Sequence, residues 1–380
     1  MFTRKVIWKV LLLFVIASML FSACAPAAAP TTAPTTAPVV APTTAPVVAP
    51  TTAPVVAPTT APVVVPTKAA AKTFKVAFVG AMVHPYYNPI PGALKDAERD
   101  FNTGPIEWQM PQKFDQNVQN VLIDGLVAKG YNLIGFQVAD PVAGNVEMKK
   151  VVDQGIPVVT FAGCPETPSP STFCLATDTG QSAYIATTNL IKLMGGKGNI
   201  VHLSGFIAET NTKKRMDGVQ KAVDENPGVK LIQTITDIDT AETAQNAVSS
   251  LLAAKRSEIN GIVATAYNPS VAVANELRSL DEKNIKSVLI DSDQIVLDAI
   301  KDGYVSGTMS QNPYGQAYLG VYSLYLMSQG YTWKADAPWF IDSGTFLINQ
   351  ANLATVEKDM AKLTSDMVKT WKDKYFDAPK

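Results

Sequence analysis

Two histidines, three cysteines and no CxxC or HExxH spacing leave this 380-residue chain little material for a transition-metal centre. No metal and no cofactor is expected. Charge of one sign is also missing: 32 basic against 33 acidic residues give a formal charge of −1, without the basic surplus that nucleic-acid phosphates demand. Nucleic acid is not an expected partner. The motifs of nucleophilic and nucleotide chemistry are absent as well, since there is no GxSxG and no GxxxxGK[ST], and GGKGN at 195–199 reads as a turn between helix and strand. Besides His84, His202 is the one candidate base, and it sits inside an apolar strand pattern. No enzyme is expected. The longest apolar run near the start, 10–21, is shorter than the roughly twenty residues a membrane span needs.

What is there begins with export. Arg4, Lys5 and Lys9 precede that apolar run, as in a signal peptide. The run ends in LFSAC, which resembles the lipobox of bacterial lipoproteins; the resemblance implies a signal peptide over 1–24 with Cys24 lipidated. The protein is then expected outside the cytoplasm, anchored to the outer face of the cell membrane or in the periplasm. From Pro30 to Pro66 a proline recurs at every fourth position, and APTTAPVV repeats from Ala33. Proline fixes φ and lacks an N–H, so residues 25–72 read as a stalk of polyproline II character with a reach of about 100 Å.

Beyond the stalk, short β-branched runs alternate with helical patterns, the sign of βαβ units and parallel sheets. The strands FKVAFVG, NLIGFQVA and PVVTFA make one series; NIVHLSG, KLIQTITD, GIVATA and SVLIDS make a second after Asp178. The expected fold class is α/β, two similar doubly wound parallel-sheet lobes joined by a hinge. One lobe takes 73–177 and 312–342, the other 178–311 and 343–380. Ligands of open parallel sheets bind beyond the carboxyl ends of the strands. That rule selects 84–87, Asp140, Gly163, the segment 209–215, Tyr267 and Asn268, 291–294 and Gln311.

In VHPYY the adjacent Tyr86 and Tyr87 suit the C–H face of a sugar ring, the alternative being ordinary packing within the lobe. The run FKVAFVGAMVHPYY resembles the opening of the ribose- and galactose-type periplasmic binding proteins, type I, with His84 in place of the usual polar residue. The resemblance extends through most of 75–340. It implies a Venus-flytrap binding protein of an ABC importer that closes on a small polar solute, a sugar or polyol. By the same resemblance Arg215 forks onto ligand oxygens, Asp291 accepts from ligand hydroxyls, Gln311 touches ligand at the last hinge crossing, and Tyr267 and Asn268 stand near the family's polar amide. The alternatives are an ion pair for Arg215, a hinge hydrogen bond for Gln311 and a helix cap for Asn268. Asp293 suits a cap for the helix beginning near Ile295. Two departures stand out: Ala162 and Gly163 occupy places where many sugar binders carry an aspartate and an arginine, and Ile238 replaces an aromatic.

The excursion GCPETPSPSTFC has a cysteine near each end, in a chain expected to be exported. A Cys164–Cys174 disulfide is expected, two free thiols being the alternative. Expected partners are the solute, an ABC permease and the membrane through the lipid anchor, with the protein itself a monomer. The rival reading is a lipoprotein that presents an autoinducer or nutrient to a membrane receptor.

Overall fold

A computed structural model describes residues 74–380; the signal segment, Cys24 and the stalk lie outside the described residues. The first series runs β1 (Val76–Val79), α1 (Ile90–Phe101), β2 (Glu107–Gln109), α2 (Gln116–Ala128), β3 (Leu133–Phe136), α3 (Ala143–Val152), β4 (Val158–Phe161) and β5 (Cys174–Ala176). The second runs α4 (Thr179–Leu193), β6 (Gly198–Leu203), α5 (Thr210–Asp224), β7 (Val229–Ile235), α6 (Ala241–Lys255), β8 (Gly261–Ala264), α7 (Tyr267–Ser279), β9 (Lys286–Ile290), α8 (Gln294–Lys301) and β10 (Gly307–Met309). The chain then returns through α9 (Pro313–Ser328), β11 (Thr332–Trp333), β12 (Phe340–Asp342), β13 (Leu347–Ile348), α10 (Val356–Tyr375) and β14 (Phe376–Asp377).

Two six-stranded sheets result, ordered β12-β5-β4-β3-β1-β2 and β13-β10-β9-β8-β6-β7. Every pairing in them is parallel except β13 against β10. The strands β1, β3, β4 and β8 are buried along their whole length, which is why they read as unbroken apolar runs rather than alternating ones. Three crossings join the lobes: after β5, between β10 and α9, and between β12 and β13. In the second lobe α4 and α5 lie unusually close, because Gly218 has no side chain to keep them apart. A Cβ there would come within 2.2 Å of the Gly180 carbonyl oxygen. This seating fixes α5, and with it Arg215, against the sheet.

The tail differs from its expected place. Residues 343–380 do not stay in the C-terminal lobe: β13 joins the second sheet and Val356 the second core, but Trp371, Tyr375 and Phe376 enter the core of the first. The large Trp371 ring is 1% exposed, and its Nε1 donates to Ser323 Oγ on α9 at 2.8 Å. Burial of that ring under α9 draws the end of α10 back to the first lobe, where β14 pairs antiparallel with β11.

Cys164 and Cys174 form a disulfide, tying the loop after β4 to β5, with Trp339 and Phe340 packed against it. A bridge across ten residues restricts the unfolded chain by about 2 to 3 kcal/mol. The Cys164→Ser/Cys174→Ser protein should lose about that much stability in urea titration, and an unchanged midpoint would show that the bridge contributes nothing.

Candidate functional site

The carboxyl ends of both sheets face one another across a crevice lined by residues of both lobes, the place where open parallel sheets bind ligands. The first lobe supplies the loop after β1. There His84 Nδ1 accepts from the Tyr86 backbone N–H (3.2 Å) and so caps the short turn Pro85–Tyr87 that presents both tyrosines. An accepting Nδ1 leaves the ring proton on Nε2, which faces Asp239 Oδ1 of the other lobe at 3.6 Å. Tyr86 lines the crevice and donates its hydroxyl to Gln316 Oε1 (2.8 Å). Tyr87 also lines it but is more deeply set, donating to Gln137 Oε1 (2.5 Å) and meeting Trp108 edge-on.

The second lobe supplies charge. Arg215 on α5 is 8% exposed, its Nε has no partner, and no carboxylate lies within ion-pair distance of it among the described residues. A buried cation whose counter-charges, Glu209 and Asp291, act only at longer range is costly, and this one borders the crevice. Asp291 follows β9 with φ +68°, a left-handed conformation that Asp and Asn tolerate better than other side chains. It accepts from Gln311 Nε2 at 2.8 Å. Burial pushes the Asp291 carboxyl up to about 6, against the opposing pull of the Gln311 bond and the Arg215 and His84 charges. Burial likewise raises Glu209, which accepts from Asn211 Nδ2 at 3.1 Å. For Asp239 burial is outweighed by the His84 hydrogen bond and charge and by bonds from Asn268, and its carboxyl sits below the usual range. Burial opposes protonation of His84, yet Asp239, Asp291 and Glu209 together raise it.

Of the residues singled out in the sequence, His84, Tyr86, Tyr87, Arg215, Tyr267, Asp291 and Gln311 all border this crevice. Two do not. Gly163 stands behind the lining: Ala162, at φ +60°, turns toward the crevice in its place, and the space beside Gly163 is filled by the Gln137 side chain. Asn268 is spent on protein, its Nδ2 donating to the Asp239 carbonyl oxygen at 3.0 Å and to Asp239 Oδ1 at 3.1 Å, and its backbone N–H donating to Asp239 Oδ1 at 3.0 Å. Tyr267 points its hydroxyl at Asp293, which also caps α8 through the Ile295 N–H. His202 is outside the lining, fully buried with Nε2 2.7 Å from Thr265 Oγ1; burial pushes it down to about 3, so it stays neutral.

The sequence reading did not single out Phe114, Phe206, Gln137 or Asp239, all of which border the crevice. Phe114 from the first lobe and Phe206 from the second stack across it, with centroids 5.7 Å apart. Phe206 follows Gly205, one residue beyond the end of the run NIVHLSG, and was within reach of the strand-end rule. A third bridge between lobes runs from Asn211 Nδ2 to the Ala162 carbonyl oxygen at 3.1 Å. The lobes are thus closed on one another.

Comparison with known proteins agrees with this architecture. A D-apiose import binding protein of Paraburkholderia graminis is 22% identical over 197 residues, which is 52% of this chain and 63% of that protein. A xylitol-binding protein of Mycolicibacterium smegmatis is 24% identical over 202 residues, 52% of this chain and 56% of that one. The matched stretches therefore span only about six tenths of these relatives' own length. Among solved structures, an ABC transporter solute-binding protein of Burkholderia graminis in complex with D-arabinose has the same fold, with TM-score 0.68 and 24% identity over 75% of this chain and 98% of that one. The profile of the periplasmic binding protein domain matches residues 77–332, more than half of the sequence, and on this evidence the chain belongs to that family.

Proposed function

We propose that the protein captures a small polyhydroxylated solute, a five-carbon sugar or polyol, between its lobes and delivers it to the permease of an ABC importer. The observation that carries this reading is Arg215, a buried cation whose Nε has no partner and which has no carboxylate in direct contact among the described residues; it borders the crevice on the same lobe as Asp291 and Glu209, two carboxyl groups raised by burial. A solute rich in hydroxyls satisfies both kinds of group at once, accepting from the guanidinium and donating to Asp291 and Glu209. Tyr86 offers a ring for its C–H groups, and the stacked Phe114 and Phe206 border the crevice beside it. The relatives are named for D-apiose, a five-carbon sugar, and xylitol, a five-carbon polyol, which supports the size. In this reading no covalent bond is made or broken; solute contacts made to both lobes at once favour the shut form. Cys24 carries the lipid anchor and the stalk holds the monomeric domain outside the cytoplasm.

Isothermal titration of the purified protein against pentoses, pentitols, hexoses, nucleosides and amino acids should give a dissociation constant of about 1 μM or tighter for a five-carbon polyol. Tight binding of an amino acid alone, or no binding across the panel, would overturn the reading.

A further inference from the structure

We infer that Gln316 is a positioning residue: it clamps all three interlobe crossings to the crevice wall and confines the bending of the hinge to Asp178, Gln311 and Gly344. The inference rests on the closure proposed above. Gln316 lies on α9 with no exposed surface, and its two amide atoms face in different directions. Oε1 accepts from Tyr86 Oη in the crevice wall, at 2.8 Å. Nε2 donates to Ser343 Oγ in the third crossing, at 2.9 Å.

Ser343 is where the crossings meet. Its Oγ lies 3.3 Å from Thr177 Oγ1 in the first crossing, and its carbonyl accepts from Asn312 Nδ2 of the second at 3.1 Å. Thr177, Asn312, Gln316 and Ser343 are all buried, so a broken bond here strands a polar group away from water. A separate knot lies on the second-lobe side. Ser310 Oγ accepts from the Phe346 N–H at 2.9 Å, and the Ser310 carbonyl accepts from Thr345 Oγ1 at 2.6 Å.

Between the two knots the second crossing leaves Gln311 and the third leaves Gly344; in the first, Asp178 follows Thr177 and precedes α4, and the Asp178 and Gly344 N–H groups share Asp342 Oδ1 as a pivot at 3.0 and 2.9 Å. Gly344 has φ +85°, a conformation glycine adopts at no steric cost. Gln311 is the one of the three that borders the crevice, where it holds Asp291. A change of lobe angle is thereby concentrated beside the solute, while the Tyr86 wall keeps a fixed relation to the crossings.

Hydrogen–deuterium exchange of the solute-free protein tests this without knowledge of the solute. Gln316→Met keeps the side-chain length and removes both bonds; it should speed exchange roughly tenfold in peptides covering 175–178, 310–316 and 341–346, with β1 and β8 unchanged. Gln316→Glu can still accept from the Tyr86 and Ser343 hydroxyls and should keep these peptides near the parent rate, even if its melting temperature falls. Should Gln316→Met not fold, Ser343→Ala cuts the same knot and should reproduce the tenfold change. Uniform acceleration across all peptides, equal acceleration in the Met and Glu proteins, or parent rates in both Met and Ser343→Ala would overturn the inference. Because no solute is added, failure of the titration panel and failure of this clamp are separate results.

Discussion

Asp291→Asn is expected to weaken solute binding about a hundredfold or more while making the solute-free protein more stable at pH 7. The two effects have one origin. A buried carboxylate held ready for ligand hydroxyls is worth about 1.5 to 3 kcal/mol for each hydrogen bond it accepts, and an amide supplies one acceptor atom without the charge. The same charge costs the empty protein. With the folded carboxyl near 6 and the unfolded one near 4, ionisation of Asp291 removes about 3 kcal/mol of stability. For a group raised on folding this cost is absent below pH 4, grows between pH 4 and 6, and is complete above 6. Arg215 and His84 face Asp291 and moderate the cost, Asp239 adds to it, and all are common to both proteins. Asparagine keeps the acceptor for Gln311 and tolerates the left-handed backbone at this position. The stability difference between the two proteins, followed by urea titration from pH 4 to 7.5, should therefore rise from about zero to about 3 kcal/mol. A variant that binds like the parent, or is less stable than it at every pH, would remove Asp291 from the site.

Arg215→Met should abolish binding by about a thousandfold, whereas Arg215→Lys should lose roughly tenfold to a hundredfold, because the ammonium keeps the charge without the planar fork. The stability of the empty protein separates this from a structural role. Removing one partner of a buried ion pair costs about 3 to 5 kcal/mol, but Arg215 has no carboxylate in direct contact among the described residues and only a longer-range pull on Asp291 and Glu209. Methionine at this place should thus leave the melting temperature within a few degrees of the parent. A large thermal loss with modest loss of binding would restore the ion-pair alternative.

Much of the architecture was legible because β1, β3, β4 and β8 are unbroken apolar runs. The strand-end rule then reached His84, Tyr86, Arg215, Asp291 and Gln311 without knowing how the lobes meet. What escaped it has identifiable reasons. The strand Glu107–Gln109 is three residues long and half-exposed, so nothing in EWQ marks it as a strand, and Phe114 beyond it was never weighed. Asp239 follows β7, whose pattern is only partly buried, and it drew no notice because its role depends on His84 arriving from the other lobe. Gly163 was displaced by one residue because Ala162 adopts a positive φ, a turn the sequence carries no glycine to announce. The tail's helical pattern shows an apolar face but not which lobe receives it; Trp371 and Ser323 decide that through a contact 48 residues apart in sequence.

In the proposed function, the ring-to-ring meeting of Phe114 and Phe206 sets an upper limit on the solute. An oligosaccharide seated in the crevice would prop these rings apart and hold the jaws ajar, so only a free monomer allows full shutting.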